Sequence, residues 1–324
     1  MRHQRRSKTS RRDFGRVVVS GMVGAGAIAT ALTREALVLA EESDAAESPG
    51  WIDAHVHVWH PDTTKYPIST NFDRADMRPP SFTAEELFSH SKPAGVSRIV
   101  LIQMSFYEYD HTYMCEVMDR HPGVFSGVAL IDHRADDVVM QADALKEKGM
   151  RGFRLHSRGD AKDWVNHPNM HALWRKAADD GLAVCPLINP AEIPYVDLLC
   201  ERFPDTRVVI DHFARIGVSG TIEESDLDAL CGLARWKNTF VKTSAFYALG
   251  KKSPPYDDLS VMIRRTVDAF SPQRLMWATD CPYQVQGEHS YEASISLVRD
   301  RLDFLSEADK TWMLRDTADR VFFA

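Results

Sequence analysis

Two histidines stand two residues apart in the segment WIDAHVHVWHP, residues 51–61. The segment has the apolar content of a buried strand, in which alternate side chains point to the same face. This alternation predicts that Asp53, His55 and His57 share one face. Imidazole and carboxylate groups are costly to bury without partners, and together they are ligands for a metal ion such as Zn²⁺. The segment therefore predicts a polar site beside this strand.

Polar residues also end most of the other short apolar runs along the chain. The residues at these ends are Gln103, Arg154, His156, Asp211, His212, Lys242, Ser244 and Asp280. Histidines and carboxylates in this combination can bind a metal and move protons. For any single one of them, a polar residue where a strand meets solvent is the alternative interpretation.

The runs that carry these residues have the length of strands buried on both faces. They span residues 51–58, 98–104, 124–131, 150–156, 182–188, 207–212, 239–244 and 274–280. Segments with helical spacing lie between them, as at 136–149, 170–181 and 195–204. This alternation predicts a single (β/α)8 barrel over residues 51–324, with its chemistry at the C-terminal ends of the strands. An open doubly wound sheet is the alternative, but no GxGxxG motif follows the first run.

Several motifs give the chain a specific resemblance. In order, they are DAHVHVW, VVIDHFAR, VKTSA and WATDCPY, with the weaker RGFRLH and the C-terminal LRDTADRVF. With these motifs, residues 51–324 resemble the amidohydrolase superfamily. Within it, they are similar to the branch of lactonases and decarboxylases often called amidohydrolase-2, which includes sugar-lactone, pyrone-dicarboxylate and sulfomuconolactone hydrolases. The resemblance implies a TIM-like barrel.

The resemblance also implies roles for the histidines and for the last aspartate. His55 and His57 match the metal ligands of the first strand in this family. Asp280 matches the carboxylate of the last strand, which binds the metal or serves as the general base. His212 matches a histidine that orients the substrate or shuttles a proton.

A second set of residues is predicted to bind the substrate. Arg154 and Lys242 match positions that face the substrate in the sugar-lactonase subgroup, and His156 and Gln103 complete the set. Arginine can hold a carboxylate or a sulfonate through paired hydrogen bonds. The alternatives are structural: Arg154 bridges Asp211 or Asp280, and Lys242 pairs with Asp211.

The chain departs from the metal-dependent pattern at the fifth strand. Metal-dependent members place a histidine at its end, whereas Cys185 precedes Pro186 here. A thiolate can bind Zn²⁺, and a buried apolar cysteine is the alternative. The resemblance therefore implies a divalent metal, zinc above all, and leaves a metal-independent enzyme open.

The predicted activity is hydrolysis of a lactone, with Asp280 activating water. Cationic groups at the mouth of an acidic protein favour an anionic substrate, such as an aldonolactone or a carboxylated or sulfonated muconolactone. The alternatives are a metal-dependent decarboxylase of the same branch and a non-catalytic exported binding protein.

Residues 1–40 have the pattern of an export signal. Seven basic residues among the first 16 precede an uncharged stretch at 17–33, and SRRDF resembles the twin-arginine motif. We expect removal of residues 1–40, a linker at 41–50, and delivery to the periplasm or the medium by the twin-arginine machinery. A membrane anchor is the alternative, but the stretch is shorter than a typical span.

The charge and the cysteine content argue against a nucleic-acid partner and against a disulfide framework. The formal charge of −7 and the lack of a basic stripe beyond the N-terminus argue against a nucleic-acid partner. The five cysteines are dispersed and contain no CxxC pair, so no disulfide framework is expected. A homo-oligomer is left open.

Overall fold

Residues 50–324 are described by the structure, a computed structural model. Their eight parallel strands are hydrogen-bonded in sequence order. They are β1 (Trp51–Val56), β2 (Val96–Ile102), β3 (Phe125–Leu130), β4 (Met150–His156), β5 (Ala183–Leu187), β6 (Arg207–Ile210), β7 (Thr239–Ser244) and β8 (Leu275–Ala278). The predicted bounds coincide with the observed ones for β4 and β7 and differ by one or two residues elsewhere.

The eighth strand returns to the first. The backbone N–H of Asp280 donates to the carbonyl of His55 (2.9 Å), and the N–H of His57 donates to that of Cys281 (2.8 Å). The sheet is thereby nearly closed, so the predicted (β/α)8 barrel is confirmed and the doubly wound alternative is excluded. The export signal at 1–40 and almost all of the linker at 41–50 lie outside the described residues and stay predictions.

Helices follow the strands, and all but the last pack on the outside of the barrel. They are α1 (Ala84–Ser91), α2 (Thr112–Arg120), α3 (Val138–Glu147), α4 (Ala161–Trp164), α5 (Pro168–Asp180), α6 (Ile193–Arg202), α7 (Glu224–Gly232), α8 (Ser260–Phe270), α9 (Tyr291–Ser296), α10 (Glu307–Thr311) and α11 (Thr317–Phe322). In residues 50–324, none of them has the length and hydropathy needed to cross a bilayer.

Local signals in the sequence explain where the long helix α5 begins and ends. The imidazole of His167 accepts from the N–H of Asn169, and Pro168 occupies the first helical position, where its missing N–H is not needed. The helix ends at Gly181, whose φ of 68° is easiest for glycine. The structure thus confirms the helix predicted at 170–181 and extends its start by two residues.

The apolar core has two parts, one inside the barrel and one between the strands and the helices. The inner cluster combines residues of seven strands with residues of α11. Helix α11 covers the N-terminal ends of the strands: Ser126 of β3 donates to the carbonyl of Phe322 (2.7 Å), and Arg207 of β6 donates to that of Val321 (3.0 Å). The C-terminal ends of the strands lie opposite and are left for the site.

Candidate active site

The first strand contains an extra residue that reverses its faces. Asp53 pairs with Ile99 and Val56 pairs with Leu101, so β1 spans three steps where β2 spans two. This irregularity is a β-bulge, which re-aims the side chains that follow it. His55 lies within the bulge and points inward.

Asp53 therefore lies on the other side of the strand, and the prediction that it shares a face with the histidines was wrong. Its neighbour Ala54 belongs to the inner cluster. Its carboxylate accepts from the hydroxyls of Thr279 (2.5 Å) and Tyr291 (2.7 Å), the latter on the outer helix α9. Burial raises the pKa of Asp53 to about 6, although these hydrogen bonds oppose the rise.

One histidine of β1, the histidine directly after β1 and the carboxylate after β8 converge on one point. The Nε2 atoms of His55 and His57 are 3.3 Å apart. Asp280 Oδ1 lies 3.5 Å from the first and 3.3 Å from the second. All three residues are buried, and their donor atoms lie within 4.8 Å of one another. This group could hold a metal ion.

The neighbours of the two imidazoles suit that use. His57 Nδ1 lies 2.8 Å from the carbonyl of Ile102, an acceptor only, so the neutral ring carries its proton on Nδ1 and directs a free Nε2 lone pair to the centre. His55 Nδ1 faces the carboxylate of Asp211 at 3.3 Å. Such partners fix the orientation of histidine ligands. Burial, and then the charges of Lys242 and His212, hold the pKa of His55 well below its usual range. The donor set therefore fits a divalent cation.

Asp280 is held as an ionised carboxylate at the floor of the site. Burial alone would raise its pKa, but the imidazoles of His212, His57 and His55 around it outweigh burial and keep the pKa below its usual range. The hydroxyl of Tyr247 donates to Asp280 Oδ2 (2.7 Å), which leaves Oδ1 to face the histidines. Asp280 itself has a left-handed backbone, with φ of 66°.

His212 stands beside this carboxylate. Its Nε2 atom lies 3.8 Å from Asp280 Oδ1, and its Nδ1 atom lies 2.7 Å from the hydroxyl of Ser244. Burial lowers the pKa of His212 to about 4, so the ring is neutral near pH 7. A neutral imidazole in this place can accept or pass on a proton.

The chain leaves β6 through a left-handed turn. Residues 212–215 have φ values of 52°, 52°, 53° and 62°, and none of them is glycine. Each such residue costs about 1–2 kcal/mol, and strained backbone of this kind is concentrated at functional sites. The turn directs both His212 and Arg215 into one cavity.

This cavity has a volume of about 260 Å³ and opens at the C-terminal end of the barrel. The group of His57, His212 and Asp280 forms one part of its wall. The remaining wall is formed by Met104, Ser105, Arg154, His156, Leu187, Arg215, Val218, Ala245, Tyr247, Ala248, Leu249 and Tyr283. A small molecule in the cavity would meet acid–base groups, cations and apolar surface together.

Two of the residues predicted to bind substrate, Arg154 and His156, lie in the cavity wall. Arg154 Nη1 is 3.4 Å from His57 Nε2, and its Nε is 4.0 Å from Asp211 Oδ2. The structural alternative, a bridge to Asp211, is therefore partly realised. Burial, followed by the charge of Arg154, lowers the pKa of His156 to about 4.

The other two, Lys242 and Gln103, do not line the cavity. Lys242 is fully buried, with Nζ 3.0 Å from Asp211 Oδ1 and 3.0 Å from His55 Nδ1, so the structural alternative for it, pairing with Asp211, is the one observed. Gln103 donates to the carbonyls of Glu108 (3.2 Å) and Asp110 (2.7 Å). Its amide therefore holds the loop after β2.

Cys185 belongs to the apolar interior of the barrel. It is fully buried within the inner cluster, and burial raises its pKa to about 12. A thiol that stays protonated is a poor metal ligand. Among residues 50–324, the possible metal group contains His55, His57 and Asp280 without it. The apolar alternative for Cys185 is the one observed.

Cys185→Ala is therefore expected to leave the metal content and kcat within about twofold of the parent protein, because the thiol supplies packing only. Metal analysis of the purified variant and a rate assay under saturating substrate check this. Loss of a stoichiometric metal ion in Cys185→Ala, with His57→Ala as the positive control, would show that the thiolate is a ligand after all.

The sequence reading did not single out Tyr247 or Arg215. Each lies three residues after a polar strand end, Ser244 and His212 respectively, and therefore one turn further along the exit from the barrel. This spacing is a signal that could have found them. Nothing in their residue types alone distinguishes them from ordinary loop residues.

Comparisons with known proteins agree with this geometry. The family model described as amidohydrolase, Amidohydro_2, matches residues 52–324. The chain is 27% identical over 244 residues to a 4-sulfomuconolactone hydrolase of Hydrogenophaga intermedia, covering 72% of this chain and 75% of that protein. It is 27% identical over 242 residues to an L-fucono-1,5-lactonase of Burkholderia ambifaria, covering 71% and 80%.

A solved structure shares the fold. The crystal structure of an amidohydrolase from Burkholderia multivorans with bound zinc superposes with a TM-score of 0.70 at 20% identity, covering 84% of this chain and 98% of that chain. The match of the family model spans the whole barrel and includes every residue of the site. The chain therefore belongs to the Amidohydro_2 family of amidohydrolases.

Proposed function

We propose that this protein is a hydrolase that opens a lactone ring, and that the lactone carries a negative charge. The observation that carries the proposal is the ionised carboxylate of Asp280, which lies within 4 Å of three imidazoles at the floor of a small cavity. The names of the lactone-hydrolysing relatives support the same reaction class.

A lactone needs two things for hydrolysis: a base that deprotonates water, and positive charge near the carbonyl oxygen. Asp280 takes the proton as water adds to the carbonyl carbon. Arg154, whose Nε has no hydrogen-bond partner among the described residues, offers positive charge in the cavity wall. The ring C–O bond then breaks, and His212 passes the proton from Asp280 to the departing alkoxide.

The proposed reaction also includes a role for a metal ion. His55, His57 and Asp280 would hold a divalent cation, and we propose zinc because two imidazoles and a carboxylate are typical zinc ligands. When bound, the cation supplies Lewis acidity beside the carbonyl oxygen. Asp211 and the carbonyl of Ile102 keep the two imidazoles oriented for it.

Tyr247→Phe is expected to lower kcat by about 10- to 100-fold with little change in KM, since hydrogen bonds to charged groups contribute about 1.5–3 kcal/mol. Without the hydroxyl, Asp280 Oδ2 loses its donor and the carboxylate can turn away from the histidines. Steady-state kinetics check this, with Tyr195→Phe on the outer helix α6 as the matched control. An unchanged kcat in Tyr247→Phe would remove Tyr247 from the mechanism.

The function is tested by a lactone panel in weakly buffered medium with a pH indicator. The panel contains neutral aldonolactones, carboxylated or sulfonated butenolides and, for the alternative reaction, aromatic carboxylic acids. We expect stoichiometric release of acid from at least one anionic lactone. Release of CO₂ from an aromatic acid would favour the decarboxylase, and binding without turnover of either class would favour a binding protein.

Removal of metal is the accompanying test of the cofactor. Incubation with a chelator followed by gel filtration is expected to abolish lactone hydrolysis, and one equivalent of Zn²⁺ is expected to restore it. The apo protein should retain its far-UV circular dichroism, because the barrel core is built without the site. Full activity of a protein shown by metal analysis to be free of metal would establish the metal-independent alternative.

A further inference from the structure

The sequence predicts Arg154 and Lys242 as the cations that face the substrate, and the two lie at different depths in the structure. Lys242 is fully buried in contact with His55 and does not line the cavity. Arg154 reaches the cavity but is turned toward Asp211 and His57. Because Arg154 serves the carbonyl oxygen of the lactone in the proposed reaction, a charged group elsewhere on the substrate needs a further cation.

Arg215 has the position and the freedom for this. Its side chain is half-buried and lines the cavity together with His212. Among residues 50–324, no acceptor or carboxylate is paired with its guanidinium, in contrast with most of the buried charges around it. A half-buried guanidinium with five unused donors is matched to a ligand that brings its own acceptors.

The balance of charge around the cavity leads to the same residue. The charged side chains that line the cavity are Asp280, Arg154 and Arg215, and Asp211 and Lys242 form a buried ion pair behind its wall. Arg154 and Lys242 both contact Asp211, and Asp280 faces the histidines, so the charge of Arg215 has no counterpart. A bound divalent cation would add to this positive excess.

The backbone supports a functional reason for the placement. Residues 212–215 keep an unfavourable left-handed conformation without glycine. A left-handed turn has the same period as its mirror image, so residues three apart lie on one side of it. His212 and Arg215 consequently face the same space, and a substrate held by one is presented to the other.

We propose that Arg215 determines specificity by binding a carboxylate or sulfonate group carried by the lactone, through paired hydrogen bonds. This inference rests on the proposed function for the lactone ring, but recognition of the anion can be measured without hydrolysis. Arg215 is a specificity residue here and takes no part in proton transfer.

The test uses two ring ketones that cannot be hydrolysed and that differ in one charge. (3-Oxocyclopentyl)acetate mimics a γ-lactone with a carboxylate arm, and (3-oxocyclopentyl)acetamide is its neutral counterpart. Calorimetric titration of the full metal-loaded protein should show at least about 30-fold tighter binding of the acetate, as expected for hydrogen bonds between charged partners. In Arg215→Gln, both compounds should bind within about threefold of each other.

Two further variants separate a specific contact from general charge. Arg215→Lys should recover only part of the preference, because an ammonium cannot form the paired contact. Arg158→Gln removes an exposed arginine that also acts on His156 from outside the cavity wall, and it should keep the full preference. No preference in the parent protein, a preference that survives in Arg215→Gln, or no binding of either ketone would overturn the proposal. Anion preference without lactone turnover would instead contradict only the proposed function.

Discussion

Asp280→Asn is expected to lower kcat for lactone hydrolysis by about 10³-fold or more, because an amide cannot accept the proton of the attacking water. The substitution keeps the shape of the side chain and the acceptor for the hydroxyl of Tyr247. It also removes one anionic member of the possible metal group. Steady-state kinetics with zinc supplied in excess check the rate, and metal analysis of the variant separates loss of the base from loss of the cation.

Asp53→Asn is the matched control for this experiment. Asp53 is also a buried carboxylate near the same end of the barrel, but the bulge in β1 places it outside the cavity. We expect its kcat to stay within about threefold of the parent value, with a lower melting temperature because its network with Thr279 and Tyr291 is disturbed. Activity retained in Asp280→Asn would remove this residue as the base.

Lys242→Met is expected to reduce the free energy of unfolding by about 3–5 kcal/mol, because it leaves the fully buried carboxylate of Asp211 without its nearest cation. The nearest remaining cation is Arg154, at 4.0 Å. Chemical denaturation monitored by fluorescence checks the prediction. The double variant Lys242→Met/Asp211→Asn should be less destabilised than Lys242→Met alone, because it no longer contains the unpaired buried carboxylate.

Lys176→Met supplies the comparison on the surface. Lys176 forms ion pairs with Asp143 and Asp180 at the outside of the barrel. Ion pairs near the surface contribute about 1 kcal/mol or less, and Asp180 keeps Lys146 as a partner at 2.8 Å, so this variant should be nearly as stable as the parent. Equal losses for Lys242→Met and Lys176→Met would mean that the buried pair has no special structural role.

Much of the fold and part of the site could be predicted from the sequence. The alternation of apolar runs with helical segments implies the order of strands around a barrel, and this order brings polar strand ends to one rim. For that reason the structure does bring His55, His57, His212 and Asp280 together. The strands themselves are recognisable because both of their faces are apolar.

Other features depend on distances that a pattern does not contain. The bulge in β1 adds one residue without any signal in the residue types. The alternation of apolar and polar residues therefore could not predict which face of the strand carries Asp53. Lys242 lies two residues before the end of β7 and is fully buried, so it does not line the cavity. The turn that places Arg215 in the cavity wall is left-handed. Its sequence, HFAR, contains no glycine, the residue that would have predicted this conformation.

The position of the last helix has a consequence for how the protein folds during its synthesis. Helix α11 is the last helix of the barrel in chain order and seals the apolar interior against water. Until its residues leave the ribosome, that end of the barrel stays open, so the native state can be reached only after the whole barrel, α11 included, has been synthesised. A nascent chain of this protein therefore depends on the cell to keep its exposed interior from aggregating during synthesis.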